Sequence, residues 1–242
     1  MKRIRRFATS LFALAAVTLL PLACATKPET TDISKTAPAQ EHALVRFVNA
    51  TTFTKPVEVY VDEAKVLPDI TKDKVTGYSE WPSQGHEIGL RAADTPTPAA
   101  SSSERLSSGE RYTVVGYSRT DGTPAVAVFH DGSVQPEAGK ARIRLIHVAD
   151  GSAELGVYPS GAKDSLLDGV NYSDESSADV DPGVRSLEIR KDGEKVVAVK
   201  VPELSLEAGQ TYTFVVATGQ DRKLRAIQLE NPESTKQGSN RY

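Results

Sequence analysis

Leu106-Ser107-Ser108-Gly109-Glu110-Arg111-Tyr112-Thr113-Val114-Val115 returns one hundred positions on as Leu206-Glu207-Ala208-Gly209-Gln210-Thr211-Tyr212-Thr213-Phe214-Val215. Further upstream, Val45-Arg46-Phe47-Val48 returns as Ile143-Arg144-Leu145-Ile146. Self-similarity at a fixed period marks a repeated structural unit. In Leu-x-x-Gly-x-x-Tyr the leucine closes one strand inside a core, the glycine permits a tight turn, and the tyrosine opens the next strand. That spacing is the one used by tyrosine corners of β-sandwiches, where a phenol hydroxyl bonds to backbone just upstream. Tyr112 and Tyr212 therefore read as structural.

The neighbouring segments alternate or carry β-branched residues, as half-buried strands do. Val57-Glu58-Val59-Tyr60-Val61 and Glu87-Ile88-Gly89-Leu90-Arg91 belong to the first copy, with Tyr112 to Gly116 and Ala125 to Phe129. Arg142 to Val148, Leu155 to Tyr158, Ser186 to Arg190, Val196 to Val201, Thr211 to Thr218 and Leu224 to Leu229 belong to the second. No stretch keeps a helical period over eleven residues. The expected fold is all-β: two tandem immunoglobulin-like antiparallel β-sandwich domains, residues 43–131 and 141–230, joined by a short hinge at 132–140 and followed by a polar tail at 231–242.

The copies differ in one hairpin. The second places Asp192-Gly193 between two strands, a turn pair suited to positive φ at both positions. The first has Ala92 to Ser103, with two prolines and a serine run, which reads as a loop or a degraded edge.

Residues 1–23 carry an address. Lys2, Arg3, Arg5 and Arg6 precede an uncharged apolar run from Phe7 to Ala23. This is the layout of a secretory signal peptide, and the run is short for a membrane span of about 20 apolar residues. The single cysteine, Cys24, closes Leu20-Pro21-Leu22-Ala23-Cys24. It resembles a bacterial lipobox, in which the cysteine becomes the lipid-bearing N-terminus, although Pro21 occupies the usual apolar position. A rival cleavage at the small-x-small site Ala23-Cys24-Ala25 would remove the cysteine. In either case no disulfide can form within the chain. Residues 24–42 hold this cysteine and a polar, Thr- and Pro-rich tether.

Charge narrows the function classes. The chain has 29 basic and 32 acidic residues, net −3. The leader takes four basic residues and no acid, leaving 25 against 32, or −7. A mildly acidic exported protein is a poor match for nucleic acid, which selects a basic face.

Each copy resembles the bacterial envelope domain called domain of unknown function 4397. The residues that carry the resemblance are Val45 to Ala50 and Ile143 to Val148, then Val59-Tyr60 and Val157-Tyr158, then Pro182-Gly183 leading to Leu187-Glu188-Ile189-Arg190, and the glycine–tyrosine motif. The first copy departs from it at Trp81-Pro82-Ser83-Gln84-Gly85. The resemblance implies a secreted or lipid-anchored sandwich, and it implies no reaction, cofactor or catalytic residue.

A search for chemistry finds no convergent set. No Gly-x-Ser-x-Gly elbow occurs, and the histidines at 42, 86, 130 and 147 form no metal-type spacing. His147 stands where the first copy has Asn49, which points to a shared polar structural role. Asp174, Glu175, Asp179 and Asp181, with Asp168 nearby, read as a solvated acidic loop rather than a calcium site, since their spacing does not match an EF-hand. Arg46 and Arg144 recur at one strand position, and Arg91 and Arg190 at another; both pairs read as solvent-facing. Trp81 beside Tyr78 is a candidate sugar platform, although a lone tryptophan more often packs. The resulting expectation is a non-catalytic envelope lipoprotein, without cofactor or metal, held to a membrane by an N-terminal lipid and contacting envelope protein or polysaccharide. The alternative is a soluble periplasmic or secreted carbohydrate-binding protein, with a hydrolase third.

Overall fold

The computed structural model describes residues 41–95, 100–132, 135–191 and 194–229, so Cys24, the leader, the tether, the Asp192-Gly193 turn and the tail lie outside the described residues. The first copy contributes β1 (His42–Ala50), β2 (Val57–Val61), β3 (Ala64–Ile70), β4 (Ser79–Pro82), β5 (Gly85–Ala92), β6 (Ala100–Arg105), β7 (Arg111–Ser118) and β8 (Pro124–His130). The second contributes β9 (Ala141–His147), β10 (Leu155–Pro159), β11 (Leu167–Val170), β12 (Asp174–Val180), β13 (Leu187–Lys191), β14 (Val197–Val201), β15 (Thr211–Thr218) and β16 (Leu224–Leu229). Each copy is a sandwich of two four-stranded sheets. The orders are β4-β1-β7-β8 with β3-β2-β5-β6, and β12-β9-β15-β16 with β11-β10-β13-β14. Two tandem β-sandwiches are therefore present. Each is antiparallel except for one central parallel pair, β1 with β7 and β9 with β15.

Alternation along β1 explains the architecture. Ala43, Val45 and Phe47 face the core of the first sandwich, with Val57, Val59, Ile88 and Leu90 opposite. Val48 and Ala50 face the other way, yet they are fully buried. They pack with Val115 and Tyr117 against Ile146, Val148, Val215 and Ala217 of the second copy. The strands β1, β7, β9 and β15 are thus buried on both faces, which is why they read as nearly continuous apolar runs. The two sandwiches stack sheet on sheet into four layers, within one compact unit. Three apolar cores separate those layers.

The copies fill equivalent core space with different residues. A Cβ added to Gly116 would come within 2.9 Å of the Phe47 ring and 3.1 Å of Leu90. At the matching positions the second copy has Val216 and Leu145, and its phenyl ring sits on the neighbouring strand as Phe214. The aromatic ring thus sits on β1 in the first copy, where Gly116 leaves it room, and on β15 in the second.

Some expectations need correction. Residues 174–181 are not a loop: Asp174 to Val180 form β12, in full antiparallel register with β9. Of the two readings of the serine run, the edge is the one found, since Ala100 to Arg105 form the β6 edge strand against β5. Arg46 and Arg144 do not face solvent but point into the seam between the copies, where both are buried.

Their charges meet at Asp131, which the sequence placed at the end of the first domain, beside the hinge. Its side chain is only 6% exposed and ion-pairs with Arg46 at 3.5 Å and also with Arg144. Thr113 Oγ1 donates to both carboxylate oxygens, at 2.6 and 2.7 Å, and accepts from Arg46 Nε at 2.8 Å. The Tyr78 hydroxyl donates to the same carboxylate, and its ring lies 4.9 Å from the Arg46 guanidinium. Arg144 is also bonded to Glu175 on β12, its Nε donating at 2.6 Å. Two arginines and two carboxylates therefore close into a neutral buried network. Burial alone would push the Asp131 carboxyl up, but Arg46 and Arg144 outweigh it and hold it below its ordinary value of 3.8. Burial pushes Glu175 the other way, above 4.5.

Removing the shared anion takes away the carboxylate that balances two buried guanidiniums, so Asp131→Asn is expected to cost about 3 kcal/mol, read as a lower urea midpoint. Because the folded-state pKa of Asp131 is depressed, its contribution is present above 3.8 and is lost as pH falls through the lower folded value. The variant should accordingly lose that part of the acid limb of a stability–pH profile.

Candidate functional site: a cleft across the seam

The repeated motif forms the same local structure twice. The Tyr112 hydroxyl accepts from Ser107 N at 3.0 Å. The Tyr212 hydroxyl accepts from Glu207 N and donates to Ser205 O, both at 2.9 Å. These phenols are tied to the turn just upstream, and neither lines the cleft across the seam.

Asn49 and His147 do one job with two chemistries. Asn49 Oδ1 accepts from Thr51 N at 3.1 Å while its amide nitrogen donates to Ile70 O at 2.8 Å. His147 Nδ1 accepts from Ala149 N at 3.1 Å, and its Nε2 lies 3.2 Å from Ala153 O. That pair of partners requires the neutral tautomer with the proton on Nε2. Burial holds the imidazole below its ordinary 6.5, since protonation would also remove the acceptor at Nδ1.

The other residues singled out in the sequence have structural partners. Trp81 is 5% exposed, packs in the first core and donates to Ser79 Oγ at 3.0 Å, so it offers no sugar platform. His86 Nδ1 lies 2.6 Å from Asp62 and Nε2 2.7 Å from Pro82 O, while His130 pairs with Glu110 at 2.7 Å. Asp179 is bound by Arg142 through Nε at 2.6 Å and Nη2 at 3.0 Å, and Asp181 by Lys140 at 2.7 Å. Among the described residues, no group of three His, Cys, Asp or Glu side chains is placed to hold a metal ion. Arg91 lies 3.8 Å over the Tyr60 ring, and Arg190 lies 4.4 Å over Tyr158. The accompanying glutamate changes strand between copies. It is Glu58 opposite Arg91 in the first, and Glu188 opposite Tyr158 in the second, where Gly156 takes the vacated position.

What sequence reading missed is a cleft of about 570 Å³ at one end of the stack. That lies within the size range of small-ligand sites. It is lined by the β7–β8 turn, the β9–β10 loop, the β15–β16 turn and the start of β14. Three contacts between the copies hold its surroundings. Gln220 donates to Thr52 O at 2.8 Å. Thr120 donates to Asp150 through N at 2.9 Å and Oγ1 at 2.8 Å. Arg225 Nη2 donates to Ala50 O at 2.9 Å and Thr51 O at 3.2 Å, and Arg225 also ion-pairs with Asp73.

The two turns at the rim are built alike. Asp121 accepts from Thr123 N at 2.8 Å, and Asp221 accepts from Lys223 N at 3.1 Å. Arg119 N and Gly219 N each donate to the carbonyl four residues on, at 2.7 Å. The sequence signal for this site was the repeated Asp-x-x turn, visible only once the copies are aligned.

The fold defines a tandem β-sandwich protein. Residues 43–158 match the family described as domain of unknown function (DUF4397), a span that takes in the first sandwich and the first two strands of the second. No curated protein matches the chain. A solved structure, the carbohydrate-binding module CBMbc (family CBM26) from Eubacterium rectale Amy13K in complex with maltoheptaose, is similar with a TM-score of 0.27 and 10% identity, over 77% of this chain and 97% of that one.

His147 supplies a pH test. Its folded-state pKa is depressed, so its contribution is complete above 6.5 and is lost as pH falls towards the folded value. His147→Leu should cost about 1–3 kcal/mol for each partner left unpaired. His147→Asn, the first copy's residue, should cost less and remove the stability change below pH 6.5, as measured by thermal unfolding across pH.

Proposed function

We propose that this protein is an exported cell-envelope lipoprotein whose two sandwiches act together as a rigid, non-catalytic binding and scaffolding unit. In this reading Cys24 carries the lipid, the tether spaces the sandwiches from the membrane, and the cleft across the seam contacts an envelope polysaccharide or protein. The observation that supports binding is the cleft itself. Parts of both copies line it, and contacts between the copies fix them before any ligand arrives, which lowers the ordering cost of association. The non-catalytic reading is supported by His86, His130 and His147, which are engaged in structural bonds, and by the match to a domain family without a stated reaction.

A soluble periplasmic carbohydrate-binding protein is the second reading, favoured by the small-x-small site around Cys24. The intact mass of protein from native membranes separates the two. A chain beginning at Cys24 with acyl mass is expected, and a lipid-free chain beginning at Thr26 would contradict anchoring. Binding is tested separately with Ala198→Trp, which places an indole at the cleft lining. Retention on isolated envelope polysaccharide should fall at least tenfold with little change in the unfolding midpoint. Unchanged retention would count against the cleft.

A further inference from the structure

The two copies differ at one turn of the cleft. The β7–β8 turn carries Gly122 and Thr123, and the matching β15–β16 turn carries Arg222 and Lys223. Gly122 has φ +85°, where glycine is at ease, whereas Arg222 holds φ +60°. A long side chain in the left-handed region is uncommon and is tolerated where surroundings or function require it. Here the turn gives up its glycine and gains a guanidinium at the rim of the cleft.

The surrounding lining has the same bias. Arg119, Lys191, Arg222 and Lys223 stand against Asp150 and Glu194. Asp150 is already engaged by Thr120, and Lys223 lies 3.9 Å from Asp221. Ser152 Oγ, also in the lining, is buried without a hydrogen-bond partner in the structure. Among the described residues no aromatic side chain lines the cleft, so these walls offer a neutral sugar no ring to stack on. Thr52, Thr120, Thr218 and Gln220 supply short polar groups beside an apolar strip of Val196, Val197, Ala198 and Leu224. Guanidinium and ammonium groups together with hydroxyl and amide groups suit a ligand with both carboxylates and hydroxyls, and the apolar strip can cover the C–H face of a sugar ring.

We infer that the cleft binds a carboxylate-bearing saccharide, with Arg222 as its main anion contact and Lys223, Lys191 and Arg119 supporting it. The inference rests on the binding reading proposed above and adds the ligand class. It is tested by calorimetric titration of the whole protein with an oligogalacturonate, its methyl ester and polyglutamate, using the native sequence and Arg222→Gly. Arg222→Gly restores the first copy's residue, so it should fold no less stably while losing affinity. The acidic oligomer should bind, the ester at least tenfold more weakly, and Arg222→Gly should weaken the acidic oligomer at least fivefold. Equal affinity for acid and ester would overturn the charge argument while leaving a saccharide cleft standing. Equal affinity for polyglutamate would overturn the saccharide class. Acid binding untouched by Arg222→Gly and Ala198→Trp would place the ligand elsewhere, and binding of none of the three probes would remove both the inference and the cleft as a saccharide site.

Discussion

One buried carboxylate ties the two sandwiches together. Asp131 directly follows β8 of the first copy and reaches into the seam, where it meets an arginine from each copy at the same strand position. Without it, Arg46 and Arg144 would face each other as like charges in a desolvated layer, a costly arrangement. With it, the polar end of the seam is closed and the apolar end, from Val48 to Ala217, can pack. The seam in turn brings Thr52 and Thr120 of one copy against Gln220 and Asp150 of the other, and so holds the walls of the cleft.

The differences between the copies sort themselves physically. Phe47 with Gly116 against Leu145 with Val216 keeps a phenyl ring in each core, since Phe214 supplies it in the second. Glu58 against Glu188 keeps a carboxylate near a stacked tyrosine and arginine. Asn49 against His147 keeps one acceptor for the backbone two residues on and one donor to a carbonyl. Each change is answered by a partner, as expected of residues whose role is to hold the fold. Gly122 against Arg222 has no such answer. It puts a long side chain at positive φ and adds a cation to the cleft, and it is on this difference that the proposed ligand class rests.

Much of the fold was legible because period-two patterning and the repeated Leu-x-x-Gly-x-x-Tyr motif report local geometry. What escaped depends on distant partners. The polar strand β12 looks like a loop until Arg142, Arg144 and Lys140 are placed beside its carboxylates from more than thirty residues away. Alternation at Arg46 marks a second face but cannot say that another copy covers it. The β3 strand is mostly exposed and holds Pro68, which reads against a strand, and β4 is only four residues long. The cleft is assembled from turns and edges of both copies, so no single stretch announces it.

The central claim is that the two sandwiches form one cooperative body. Trp81 is the only tryptophan and is buried in the first core, so its fluorescence reports that copy alone, whereas far-UV circular dichroism reports strands of both. Followed together through a urea titration, the two signals should share a single midpoint and slope, as a two-state unit requires. Separate transitions, with one copy unfolding while the other keeps its strands, would contradict the account and leave the seam as a contact between independent domains.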